Sequence, residues 1–244
     1  MGGKAVLITA AGGRHSFVNA DSRCVDLEDG FDLVLTSPPF FHPERKRSSH
    51  GFAPTTDLEQ YTDYVSGILV KTAAAVKCNG TVCILKTDVW HRGTLIPLGF
   101  KLIEECIKRG LRLRAHWVWQ RFHHYSPYAP SFSNIFVLSM LPIPRPPLSG
   151  VFSEIHTRRR VTLQNSYTPE VFEILITALT RPGEVILDPF AGVGSVMEAA
   201  SNTKRWCVGI EISRRQFQRG RKHLSRLIPG VIFHSLVPDQ DRGS

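Results

Sequence analysis

The stretch "GEVILDPFAGVGSVMEAA", residues 183–200, constrains the fold more than any other part of this chain. A short apolar run ends at Asp188, the backbone turns through Gly192 and Gly194, and a helical pattern begins near Ser195. Glycines in such a turn let the backbone approach a ligand closely at a helix N-terminus. Only about fifty of the 244 residues follow Gly194, too few to complete a sheet around this strand. The other strands must therefore come from the N-terminal portion, with the ligand turn late in the chain.

That portion supplies them. "HSFVNAD" (15–21), "FDLVLTS" (31–37), "GTVCILKTD" (80–88), "LRLRAHWVWQ" (111–120) and "SNIFVLSM" (133–140) read as strands, joined later by 185–188 and "WCVGIEIS" (206–213). Helical patterns fall between them: 57–77, 94–110 with a break at Pro97 and a stop at Gly110, 168–180, 196–203 and Arg214–Leu227. Thr168 can cap the third of these, with Pro169 at its first position. Strands alternating with helices predict an α/β fold, a doubly wound and mostly parallel sheet covered on both faces. The expectation is one domain over 1–244. Residues 1–140 form one half and 165–244 the other, with a short proline-rich, basic connector at 141–164.

No run reaches the ~18 apolar residues that a membrane helix needs. The apolar run at 5–13 is short and preceded by a lone Lys4, too little for a signal peptide. The expected location is the cytoplasm, or the nucleus in a eukaryotic host. The five cysteines include no CxxC pair, and the ten histidines form no ligand-like set, so neither a disulfide framework nor a metal is expected.

The formal charge of +9 points to a polyanionic partner. Three basic clumps lie in loop-like sequence, where phosphate contacts are commonly made. They contain Arg45, Lys46 and Arg47; Arg121, His123 and His124; and Arg158, Arg159 and Arg160. The basic stretch 214–223 reads instead as the solvated face of a helix.

The late turn narrows the ligand. It lacks the Lys-Ser/Thr of a triphosphate-binding loop and the third glycine of the dinucleotide fingerprint, which counts against a nicotinamide oxidoreductase. Glu211 ends the next strand, where a carboxylate can accept hydrogen bonds from both hydroxyls of a ribose. Asp188 is a poor neighbour for pyrophosphate and a good one for a cationic amino-acid group. Adenosine carrying a zwitterionic tail, S-adenosyl-L-methionine, fits both. The same turn also occurs as a plain strand-to-helix connection without a ligand.

An early strand ends in "TSPPF", placing Ser37, Pro38, Pro39 and Phe40 at its tip. With "DPFAGVG" following late, the chain resembles the permuted β-class of DNA amino-methyltransferases, from about His15 to Leu227. The resemblance implies a Rossmann-like, seven-stranded sheet with one antiparallel strand, supplied by "SNIFVLSM". It implies that Asp188, Phe190, Gly192 and Gly194 form the methionine side of the cofactor site, that Glu211 binds the ribose and that Asp21 meets the adenine. It also places Asn19, Ala191, Ser195, Ile212 and Thr168 at the cofactor, with Asn165 and Ser166 near its tail.

The chemistry this implies is direct methyl transfer to an exocyclic amine of a flipped base. That amine is a poor nucleophile, because its lone pair is delocalised into the ring. The Ser37 hydroxyl and Pro38 carbonyl would accept its N–H groups, and Phe40 would stack on the base. No cysteine sits where carbon methylation would need a thiolate. In the family, Ser at the first motif position goes more often with cytosine N4 than with adenine N6, and N4 is favoured here. Adenine N6, an RNA base amine and a non-catalytic cofactor- or DNA-binding regulator are the alternatives. The expected partner is double- or single-stranded DNA. The short 141–164 interval leaves little room for target recognition, so a homodimer or a separate specificity partner is also expected.

Overall fold

The computed structural model describes residues 7–10, 13–41, 43–44, 55–120, 132–142, 151–153 and 169–236. Arg45, Lys46, Arg47, Arg121, His123, His124, Arg158, Arg159, Arg160, Asn165, Ser166 and Thr168 lie outside the described residues.

In chain order the elements are β1 (Leu7–Ile8), β2 (Ser16–Asn19), β3 (Asp26–Leu27), β4 (Phe31–Thr36), α1 (Leu58–Ala74), β5 (Val76–Lys86), β6 (Val89–His91), β7 (Thr94–Ile96) and α2 (Leu98–Lys108). There follow β8 (Arg112–Gln120), β9 (Phe132–Ser139), β10 (Val151–Ser153), α3 (Pro169–Leu179), β11 (Val185–Asp188), α4 (Ser195–Asn202), β12 (Trp206–Glu211), α5 (Arg214–Leu227) and β13 (Ile232–Ser235).

Nine strands form the main sheet, in the order β10-β8-β9-β5-β4-β11-β12-β2-β13. Neighbours are parallel except at β9, which runs against both β5 and β8. The expected count of seven is corrected to nine by β10 and β13, each added outside the seven. The reason at β13 is physical: the outer edge of β2 presents unpaired backbone groups, and residues 232–235 satisfy them.

The buried strands feed two cores, because successive side chains point to opposite faces. On β4, Val34 joins Tyr61, Val65 and Leu69 of α1 and Leu98, Leu102 and Cys106 of α2. Its neighbours Leu33 and Leu35 join Phe172 and Leu175 of α3, Met197 and Ala200 of α4, and Phe217 and Leu224 of α5. The second core is tight at Gly220. A Cβ there would lie 2.7 Å from a ring carbon of Phe17 and 2.9 Å from the Val193 carbonyl. Gly220→Ala is therefore expected to destabilise the protein by about 1–3 kcal/mol, although alanine is the better helix former. Denaturant unfolding measures it.

A local expectation fails. The helix foreseen over 94–110 begins only at Leu98, and Thr94–Ile96 is a strand paired with Val89–His91. Ile96 precedes Pro97, which biases it towards extended backbone. Arg92 and Gly93 make the intervening two-residue turn with φ of 48° and 76°, both positive as such hairpins require.

The winding positions the site. From β4 the chain crosses through α1 to β5 on one side, and from β11 it crosses through α4 to β12 on the other. Strand order therefore reverses between β4 and β11, and ligands of doubly wound sheets bind at such a reversal, beyond the carboxyl ends of the strands. Thr36 ends β4 and Asp188 ends β11.

Candidate functional site

The two motifs meet at that edge. The Thr36 hydroxyl donates to Asp188 Oδ1 over 2.6 Å, and the Phe190 amide donates to the same oxygen over 3.1 Å. The early double-proline tip and the late glycine turn are thus neighbours, 152 residues apart in sequence. Asp188 is 3% exposed, and burial pushes its carboxyl up to about 7 against the pull of those two donors.

One strand further, Glu211 accepts from the Gly192 amide over 2.8 Å and from the Ser213 amide over 2.7 Å. Burial pushes it up to about 7 as well, with the Asp188 charge adding to the rise. Among the described residues neither carboxylate has an ion-pair partner. Gly192 (φ 56°) has nothing within 4 Å of where a Cβ would stand. Two buried, uncompensated carboxylates beside an open glycine turn suit a ligand that brings positive charge and hydroxyl donors, and repel a polyphosphate.

Gly194 has a second reason to be glycine. Its φ is 92°, and a Cβ would lie 2.6 Å from a Leu224 methyl, so the turn fits closely under α5. Ala191 is buried, its amide bonded to the Ile210 carbonyl, and Ser195 opens α4. Ile212 is 49% exposed beside Glu211, an apolar surface available to a flat ring.

The turn after β2 closes the site's other side. Ser22 donates to the Pro189 carbonyl over 2.6 Å, which brings that turn onto the DPF segment. Asp21 is held by Arg23, whose guanidinium and amide lower its carboxyl below the usual range despite partial burial. Arg23 also lies over the Tyr64 ring at 5.1 Å. Asn19 is fully buried and donates to the Glu211 and Ile212 carbonyls, so it fastens β2 to β12.

At the double-proline tip, Ser37 is half-buried, and its hydroxyl makes no hydrogen bond among the described residues. The proline carbonyls are not left open. Lys86, at the end of β5, donates to Pro39 O over 2.8 Å and to Pro38 O over 3.2 Å, and the Tyr61 hydroxyl donates to Pro39 O over 3.0 Å. Sequence reasoning passed over Lys86, Tyr61, Thr36 and Ser22. One signal was present: "VCILK" puts a charge at the end of an otherwise apolar strand, at the edge where ligands bind.

A hairpin formed by β6 and β7 leaves β5 three residues after Lys86. It exposes Trp90 and carries Arg92, which pairs with Glu44 a few residues beyond the double-proline tip. No set of three or more potential metal ligands occurs among the described residues. No helix there is long and apolar enough to cross a membrane.

Against known proteins, residues 145–221 match a family model described as DNA methylase, of the N6/N4 type. Over that stretch the chain is similar to the N6/N4 DNA methylase family. A relative, the type II methyltransferase M.BglII of Bacillus subtilis, is 24% identical over 227 residues, 77% of this chain. The chain spans 61% of that relative's length. The fold matches TTHA0409 of Thermus thermophilus with a TM-score of 0.72 at 21% identity, covering 91% of this chain and 99% of the other. TTHA0409 has also been solved with S-adenosyl-L-methionine. PvuII DNA methyltransferase, a cytosine-N4-specific enzyme, matches with a TM-score of 0.65 at 16% identity, covering 86% of this chain and 89% of its own.

Proposed function

We propose that this chain transfers a methyl group from S-adenosyl-L-methionine to the exocyclic amine of a flipped DNA base, in the first place N4 of cytosine. The observation that carries the reading is the Thr36–Asp188 hydrogen bond, which sets the strand end before the double proline beside the strand end before the glycine turn. Similarity of fold to a cofactor-bound protein and to a cytosine-N4-specific enzyme supports it.

When bound, the cofactor supplies an electrophilic methyl on a sulfonium. The chain's own residues do the rest. Asp188 would face the cationic tail, Glu211 would accept from the ribose hydroxyls, and Ile212 would lie along the adenine, with Asp21 at that end. Ser37 and the Pro38 carbonyl accept the N–H groups of the target amine, favouring a pyramidal nitrogen with an available lone pair. Phe40 stacks on the extruded base. Proximity in a water-poor pocket supplies much of the acceleration, and no covalent enzyme intermediate is required.

The test is transfer of labelled methyl from the cofactor to duplex DNA, single-stranded DNA and structured RNA. Label in DNA is the expected result. Label confined to RNA, or retained on no nucleic acid, contradicts the reading.

A further inference from the structure

The mechanism above leaves Lys86 unused, although its nitrogen sits on the double-proline tip. The residue is 2% exposed. Nζ donates to the Pro38 and Pro39 carbonyls and stands 5.1 Å from the centre of the Tyr61 ring and 5.7 Å from that of Phe40. Both hydrogen-bond acceptors are neutral carbonyls, and no carboxylate pairs with Nζ among the described residues. A neutral primary amine has two N–H donors and one lone pair. Two carbonyls match two donors and leave the lone pair over. A base amine bonded to the Pro38 carbonyl shares that oxygen with Nζ, which brings the two nitrogens within roughly 3–6 Å of each other.

We propose that Lys86 is the proton acceptor of the methyl-transfer reaction, a role that rests on the function proposed above. As the exocyclic nitrogen gives its lone pair to the methyl carbon, the carbon–sulfur bond breaks with its electron pair on sulfur. The nitrogen is then cationic and carries a surplus hydrogen. Its N–H bond breaks with the pair kept on nitrogen, and the proton joins the lone pair of Nζ. The resulting ammonium keeps both proline carbonyls as acceptors and faces the Tyr61 and Phe40 rings, which favour a cation. Release of product lets solvent take the proton away.

Burial holds this lysine down to about 7, so a neutral fraction is present near neutral pH. The Tyr61 ring of α1 faces Nζ; the other titratable groups on this edge are Asp88 two residues on, Asp188 at the end of β11 beyond β4, and His116 of β8 beyond β9. Asp88 is engaged by the Gly99 amide and Asn134, His116 meets Asn134, and Asp188 is engaged by Thr36.

Lys86→Met and Lys86→Arg, each compared with the parent, test the proposal. Arginine keeps donors for the carbonyls but has no lone pair to take a proton. Both variants are expected to bind the cofactor within about threefold of the parent by calorimetry and to lose roughly 10²–10⁴-fold in kcat. At saturating cofactor, the parent's kcat is expected to fall as pH drops below about 7, and the residual rate of the Met variant to lack that limb. An Arg variant within about threefold of the parent's kcat, or an unchanged limb in the Met variant, overturns the proposal and leaves Lys86 as a holder of carbonyls. Where a variant does not fold, ¹⁵N titration of Nζ in the parent decides. A neutral amine at pH 8 to about 9 is expected, and an amine still fully charged there overturns the proposal. A parent that methylates no nucleic acid removes the function itself and this role with it; a methylating parent with an active Arg variant removes only the role.

Discussion

Asp188→Asn is expected to bind S-adenosylmethionine about 100-fold or more weakly, while the cofactor-free variant unfolds at a higher denaturant concentration than the parent at pH 8. The two effects share a cause. The buried carboxylate is held near the Thr36 hydroxyl and Phe190 amide without a cation, and its carboxyl is raised from 3.8 to about 7. A raised acid costs the folded state its charged form, so the penalty is full above about pH 7 and gone below the unfolded value. Asparagine keeps an oxygen for both donors and removes the charge. The gain, on the order of 1–3 kcal/mol, is therefore present above pH 7 and fades as pH falls towards 4. A bound cationic tail reverses the balance, because it needs the charge that asparagine lacks. Calorimetry and denaturant unfolding at pH 5 and 8 read both arms. An Asn variant that binds like the parent removes Asp188 from the cofactor site.

The second large effect belongs to the double-proline tip. Ser37→Ala is expected to lower kcat by roughly 10²–10³-fold, the usual loss when one preorganised polar contact to the reacting group goes. Its hydroxyl has no partner among the described residues, so its removal strands no internal donor and the fold is expected to persist. Phe40→Ala acts differently. Loss of a stacking face is worth about 1–3 kcal/mol per base, which appears as a tenfold to hundredfold rise in KM for nucleic acid. Cofactor affinity stays within about threefold in both variants, since neither side chain is assigned to that half of the site. Steady-state kinetics with a fixed oligonucleotide separates the kcat effect from the KM effect. If both variants keep parental kinetics, the tip has no part in the chemistry.

How far the sequence carried the structure depends on where each signal resided. The motif pair was legible because each half is local: a strand end, a turn and a helix start within about ten residues. Counting showed that a late ligand strand with little chain after it must borrow its neighbours from earlier segments, and the family resemblance implied that the double-proline strand is one of them. Edge strands were not legible. β13 forms because β2 has a free edge, which is a property of the assembled sheet and not of residues 232–235. The β6–β7 hairpin was hidden by reading Thr94–Ile96 as the first turn of a helix, although Arg92-Gly93 is a turn pair and Pro97 marks the boundary. Within the candidate site, Asp188, Gly192, Gly194 and Glu211 lie together at neighbouring strand ends, with the Gly192 amide on the Glu211 carboxylate. Lys86 was missed because strand β5 carries no motif, and its bond to the proline carbonyls exists only once β5 pairs with β4. Asn19 adds a contact that its motif did not suggest: its amide nitrogen ties two strand ends together through the Glu211 and Ile212 carbonyls.

Mass spectrometry of nucleosides from DNA incubated with the protein and S-adenosylmethionine bears most directly on the whole account. A methylated exocyclic amine is the predicted product, N4-methylcytosine above all. DNA that stays unmodified, or carries its new methyl on a ring carbon, contradicts it.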